Sequence, residues 1–97
     1  LQVSVRFFTS LRETIGKKEE TLTFPDNQTV TIETILETLK QRHGKPFTEY
    51  VYNPKTGQVR SFLQFLINGK SATTLNGLKT QMQNDDVLAI LPPVGGG

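Results

Sequence analysis

The sequence predicts an α+β domain, one mixed sheet with a single main helix packed across one face. Three observations carry this. Apolar and polar residues alternate in two short runs, around Val3, Val5 and Phe7 and around Leu63, Phe65 and Ile67, with the period of half-buried strands. Between them Ile32, Ile35, Leu36 and Leu39 recur at i, i+3, i+4 and i+7, the period of a helix with one apolar face. The resulting order is strand, strand, helix, strand, turn, strand. There are no internal repeats and no linker long enough to separate a second folding unit, so the 97 residues predict one domain.

In chain order, Val3, Val5 and Phe7 face one way and Gln2, Ser4 and Arg6 the other; Phe8 then puts an aromatic on the polar face. Residues 11–15 suit one helical turn stopped by Gly16, and residues 20–24 a second short strand with Leu22 and Phe24 on one side. Pro25, Asp26 and Asn27 end it as a loop. Thr31 is the expected N-cap of the main helix. Glu33 suits the positive end of that helix's dipole, Lys40, Arg42 and His43 the negative end, and Gly44 a left-handed cap before Pro46. The stretch 45–61 is polar and turn-rich and reads as a long excursion or a small hairpin. The strand through Leu63, Phe65 and Ile67 runs into Asn68-Gly69, a tight-turn dipeptide, and is expected to be the central one. A helical turn is expected near residues 75–78, and Asn84, Asp85 and Asp86 make a turn that launches the nearly all-apolar strand 87–91. A strand without a polar face is buried on both sides or meets a partner on one.

Composition removes several function classes. There are no cysteines, hence no disulfide, no thiolate metal site and no thiol nucleophile. No apolar run approaches the ~18 residues of a membrane span, and residues 2–8 alternate instead of forming a signal-peptide core. A cytoplasmic protein without membrane attachment is the expectation. The net charge of +2 arises from 11 basic and 9 acidic side chains, but Lys17 and Lys18 run straight into Glu19 and Glu20, so no basic stripe forms and nucleic acid is not an expected partner. His43 lacks cysteine partners and sits where a helix end favours positive charge, so a capping role is read there and no metal site is expected. Asp85 and Asp86 read as a turn, not as an acid and base pair. Asn76-Gly77 is a lone turn signal, and no serine has a triad around it.

The segment that stability does not explain is Pro92, Pro93, Val94, Gly95, Gly96 and Gly97. Two prolines favour an extended geometry that cannot re-enter a sheet, and they project the residues beyond them away from the body. Three glycines add unfolded-state entropy without adding to a core, yet their lack of side chains would let a narrow tunnel pass them and deliver a terminal carboxylate to a distant active site. The division expected is therefore 1–91 as the folded domain and 92–97 as a flexible tail. An inert tail is the alternative.

Val5-Arg6-Phe7-Phe8, Leu11-Arg12-Glu13 with Gly16, the helix after Thr31, Ile67-Asn68-Gly69 and above all the run from Asp86 through Leu91-Pro92-Pro93-Val94 to Gly97 resemble the MoaD family, the small sulfur-carrier subunits of molybdopterin synthase, which overlaps with archaeal ubiquitin-like modifiers. The likeness spans nearly the whole chain apart from 45–61. Gly95 stands where members often carry another small residue, so the matched diglycine is Gly96-Gly97. The resemblance implies a ubiquitin-like β-grasp fold with Gly97 as the reactive centre and Pro92, Pro93, Val94, Gly95 and Gly96 as the portion of the tail that partners recognise. It implies an E1-like (MoeB-like) enzyme that uses ATP and magnesium to adenylate Gly97, conversion to a thiocarboxylate, and a molybdopterin synthase large subunit (MoaE-like) that holds the catalytic residues. No cofactor is expected to stay bound to the carrier itself. Attack on the same activated group by target-protein lysines is the modifier reading, and a noncovalent interaction module with an inert tail is the third.

The docking face is read from alternation. With Leu88 and Ile90 turned to the helix, Ala89 and Leu91 face outward beside Phe8, with Leu66 adjoining, an apolar patch next to the tail. The alternative is that residues 45–61 cover it.

Overall fold

The computed structural model describes residues 1–92. The first alternating run is strand β1 (Gln2–Phe7), which buries Val3, Val5 and Phe7. Helix α1 (Thr9–Ile15) comes next, sinks Leu11 into the core, and ends at Gly16 with φ 86 and ψ 11, the left-handed geometry a glycine adopts without steric cost. Strand β2 (Glu19–Thr23) returns antiparallel to β1.

Helix α2 (Ile32–His43) begins at Thr31 as expected. The Thr31 side chain accepts the Thr34 N–H at 3.3 Å, and Thr34 Oγ1 accepts the Thr31 N–H at 3.1 Å, so threonine closes a capping box usually made with Glu or Gln. Ile32, Ile35, Leu36 and Leu39 are each 0% exposed, and each such aliphatic contributes roughly 1.5–3 kcal/mol by leaving water. Gly44 does stop α2 with a positive φ of 68, but its ψ of −141 is not the left-handed cap expected. The reason is that a second helix starts immediately: α3 (Lys45–Val51) takes Gly44 as its own N-cap and Pro46 in its first turn, where a missing N–H costs nothing. This corrects the reading of 45–61 as an excursion or hairpin. Phe47, Tyr50 and Val51 stand at i, i+3 and i+4, and Phe47 and Val51 are fully buried. Only the remainder is turn, closed by an isolated bridge between Tyr52 and Val59.

Strand β3 (Gln64–Ile67) pairs antiparallel with the two-residue β4 (Lys70–Ser71) through Asn68 and Gly69, whose φ values of 52 and 88 are the positive pair a tight hairpin demands. Two 3-10 turns, Ala72–Thr74 and Gly77–Lys79, take the place of the helical turn expected near 75–78. Strand β5 (Val87–Leu91) then completes the sheet. Its launching turn is tied down from several sides: Asp86 accepts from the Gln83 N–H at 2.7 Å and from the Asn68 amide at 2.9 Å, while Asn68 accepts the Val87 N–H at 2.9 Å. Asp86 is thus a turn residue, as expected.

Among the described residues the sheet has the order β2-β1-β5-β3-β4, with β1 and β5 parallel and the other pairs antiparallel. The expectation that the strand through Phe65 is central is corrected. β5 holds the middle because it alone finds a partner on each side that itself has an outer neighbour, and its unbroken apolar character suits that position. The core lies between the inner sheet face and α2, with α1 and α3 closing its sides.

Candidate functional site

The face of the sheet turned away from the helices can be rebuilt from the pairing register. Ala89 sits between Arg6 of β1 and Leu66 of β3 in one row; in another, Leu91 pairs with Gln64. Phe8 keeps an extended backbone at φ −129 and ψ 153, so alternation continues one residue past β1 and carries its ring outward. Leu88 and Ile90 are buried at 0% and 1%, whereas Phe8, Leu66, Ala89 and Leu91 are all half-buried. Residues 45–61 leave them so, because α3 is anchored on the other side of the sheet, through Phe47 and Val51 in the core and through a 2.7 Å hydrogen bond between the Tyr50 and Ser10 hydroxyls of α3 and α1. The four residues form one apolar strip ending where β5 releases the chain at Pro92. Around Phe8 the strip meets a shallow crevice of about 150 Å³ edged by Arg6, Arg12 and Lys18, with Glu19 near Arg6 at 4.0 Å. The strip thus has an apolar centre and a mostly cationic edge.

Of the tail positions singled out in the sequence, Pro92 lies half-buried directly after β5. Pro93, Val94, Gly95, Gly96 and Gly97 lie outside the described residues. The reactive group expected at Gly97 belongs to them.

The body carries one ionic cluster that the sequence did not reveal. Glu20 shares the inner face of β2 with Leu22 and is only 7% exposed. It receives the Arg42 guanidinium at 2.8 Å and the His43 Nε2 at 2.7 Å, both from the last turn of α2, and Lys17 stands 3.5 Å away. Burial pushes the Glu20 carboxyl up, but the hydrogen bonds from His43 and Arg42 and the positive field of His43 and Lys17 outweigh it and hold the group below its ordinary range. His43 does sit at the helix end where positive charge is favoured, and its ring edge lies against Phe7 with centroids 6.5 Å apart. The cluster ties β2 to α2; a same-face relation between Glu20 and Leu22 was its local signal. Among the described residues no group of three or more His, Asp or Glu side chains is placed to hold a metal ion, and every buried side-chain nitrogen or oxygen has a hydrogen-bond partner. Among them, too, no helix is long and apolar enough to cross a membrane.

A second feature passed over in the sequence is a groove of about 440 Å³ between the stretch 59–65 and the two 3-10 turns. Phe62 on its rim is 49% exposed, and the Arg60 guanidinium lies 5.9 Å from the centre of its ring.

The chain is 27% identical over all 97 residues, and over the full length of both proteins, to small archaeal modifier protein 3 of Haloferax volcanii. The solution structure of small archaeal modifier protein 1 from Methanosarcina acetivorans superposes with a TM-score of 0.80 at 30% identity, covering 99% of this chain and 96% of that one. The crystal structure of small archaeal modifier protein 1 from Haloferax volcanii, at 24% identity, shares the fold with a TM-score of 0.83 over the whole of both chains. The fold is accordingly the ubiquitin-like β-grasp that the resemblance to MoaD proteins implied. A family model described as the ThiS family matches residues 5–97, from the middle of β1 through the glycine tail, and the chain belongs to that family.

Proposed function

We propose that this protein carries sulfur on the carboxyl group of Gly97. Membership of the ThiS family, with a match that runs through the final glycines, is the observation that carries the reading. The carboxylate of a chain terminus has an unperturbed pKa of ~3.3–3.7 and at neutral pH is a resonance-stabilised anion, a poor electrophile that needs activation. An E1-like enzyme using ATP and magnesium supplies it: a Gly97 oxygen attacks the α-phosphorus, pyrophosphate leaves, and the acyl-adenylate forms. Hydrosulfide then attacks the acyl carbon, AMP leaves, and a thiocarboxylate remains. The sulfur is donated to build the dithiolene of molybdopterin, with the catalytic groups on a MoaE-like large subunit. In a chain without cysteine the tail is the natural place for that sulfur.

The strip of Phe8, Leu66, Ala89 and Leu91 docks the activating enzyme and the synthase in turn, and Pro92 to Gly96 thread the tail into each active site. The test is to incubate the chain with the E1-like enzyme of its own organism, ATP, magnesium and sulfide, and to read the intact mass. An oxygen-for-sulfur exchange localised to Gly97 supports the reading; a purely unmodified terminus under conditions where ATP is turned over to pyrophosphate defeats it. A second reading is favoured by the relatives that are named small archaeal modifier proteins. In it, a lysine amine of a target protein takes the place of hydrosulfide and an isopeptide results. Linkage of Gly97 to lysines of other proteins in denatured lysate identifies that reaction.

A further inference from the structure

Two Asn-Gly pairs occur in the chain, Asn68-Gly69 and Asn76-Gly77, and the fold treats them differently. Both asparagines are exposed, and the glycines that follow them have positive φ values of 88 and 58. Asn68 is bound at both ends of its carboxamide: Nδ2 donates to Asp86 Oδ1 at 2.9 Å, and Oδ1 accepts the Val87 N–H at 2.9 Å. Asn76 stands at the N-cap of the second 3-10 turn, and its carboxamide makes no hydrogen bond among the described residues. The turn uses only its backbone, whose N–H donates to Thr80 Oγ1 at 2.9 Å and whose carbonyl accepts the Lys79 N–H at 3.1 Å.

A carboxamide followed by glycine is open to attack by the next backbone nitrogen, because glycine has no side chain to obstruct the approach. We propose that Asn76 is a site of spontaneous deamidation and that Asn68, held by Asp86 and Val87, is protected from the same reaction. A base removes the Gly77 amide proton and the nitrogen attacks Asn76 Cγ. The tetrahedral anion takes up a proton and expels ammonia, which closes a cyclic imide. Water then opens the imide at either carbonyl. One product is an ordinary aspartate; the other is isoaspartate, whose backbone runs through the side chain and is one atom longer. The balance is a carboxamide and water becoming a carboxylic acid and ammonia, with no oxidant or reductant. With ψ 24 at Asn76 the nitrogen reaches Cγ only when the turn opens, and three residues of 3-10 helix open without disturbing the sheet. At Asn68 the same attack requires both carboxamide hydrogen bonds to break, and its anion would form beside the Asp86 carboxylate. Isoaspartate at 76 reaches beyond its own turn. The Thr80 carbonyl accepts the Ile32 N–H at 3.2 Å, Gln81 bridges to Thr31, and Lys79 Nζ pairs with Glu33 at 2.8 Å, so this segment holds the N-terminus of α2. An extra backbone atom in the turn loosens that hold.

The test needs neither ATP nor a partner, and its outcome is independent of any chemistry at Gly97. The folded chain and the chain in urea are aged side by side at neutral and at mildly alkaline pH, and peptide mass spectrometry follows the conversion of amide to acid at each asparagine. In urea the two Asn-Gly pairs react at similar rates. In the folded chain Asn76 reacts at least about tenfold faster than Asn68, which must first break two hydrogen bonds. The Asn76 rate rises with pH, because the attacking nitrogen has to lose its proton. Equal rates at the two sites in the folded chain overturn the proposal, as does an Asn76 that stays intact while its urea control reacts. Isoaspartate chains, separated chromatographically, are then compared with Asn76→Asp by hydrogen exchange. Faster exchange of the Ile32 and Thr80 amides in the isoaspartate form alone is expected, and unchanged exchange overturns the link from the turn to α2.

Discussion

Replacing Glu20 by glutamine tests how much the fold owes to one ionic cluster. Glutamine keeps the shape and one acceptor oxygen but removes the charge that faces Arg42 at 2.8 Å, His43 at 2.7 Å and Lys17 at 3.5 Å. A hydrogen bond to a charged group contributes about 1.5–3 kcal/mol. The side chains of Arg42 and Lys17 are each 48% exposed, and water screens much of their attraction, so the pairs do not add at full strength. A loss of about 1–2 kcal/mol results, and at ~4–8 °C per kcal/mol for a domain of this size Tm falls by about 4–16 °C at neutral pH. The pH dependence has a fixed sign. Glu20 is held below its unfolded value of 4.5, so the unfolded chain takes up the proton first on acidification. The stabilisation is complete above 4.5 and is lost as pH falls through the lower folded value. Urea unfolding of both proteins between about pH 3 and pH 7 measures this. The gap between them should close as pH falls below 4.5. A gap of the same size at every pH, or none at neutral pH, refutes the assignment of that energy to the Glu20 charge.

Leu39→Ala, at a position 0% exposed on the sheet side of α2, should cost about 2–5 kcal/mol in denaturant melts, and a cost below ~1 kcal/mol would place Leu39 outside the core. Leu91→Glu puts a charge on the half-buried outer strip at the end of β5; stability should change by no more than about 0.5 kcal/mol while affinity for the activating enzyme, read by calorimetry, falls at least about tenfold. Deleting Gly96 and Gly97 should leave the melting curve unchanged and abolish both thiocarboxylate and isopeptide products by mass spectrometry; product from the truncated chain would remove the terminal glycine from the chemistry.

Legibility in the sequence tracks the range of the forces involved. The extent of α2 was legible because its apolar period, its Thr31 cap and its Gly44 stop are local, whereas the backbone geometry at Gly44 was not, since the helix that follows sets it. α3 was not, although Phe47, Tyr50 and Val51 keep helical spacing, because seven residues between a glycine and a turn make a short signal and most of that helix's stability comes from the core it enters. Strand order was misread for a related reason: a strand's own residues state which face is buried, whereas its position depends on who pairs with it. Glu20 meets Arg42 and His43 across 22 and 23 residues, a distance no periodicity spans. The outer strip was legible once the parity of Leu88 and Ile90 was set. The groove at Phe62 was not, since its two walls are joined only by the β3–β4 hairpin. The tail reading falls on residues 93–97, outside the described residues.

The parallel pairing of β1 with β5 has a consequence for how the molecule comes into being. Ser4 to Phe7 lie beside Val87 to Ile90, so the middle of the sheet joins strands more than 80 residues apart. Such a contact order favours slow closure, because the entropy of a long loop is lost before the pairing energy is gained. On the ribosome, β1, β2 and the three helices emerge first, and β1 keeps one hydrogen-bonding edge unpaired until residues 87–91 arrive. A nascent chain that stops short of Val87 has neither the strand that closes its core nor the glycines beyond it. Truncation before Val87 therefore removes the one strand that joins the β2-β1 half of the sheet to the β3-β4 half.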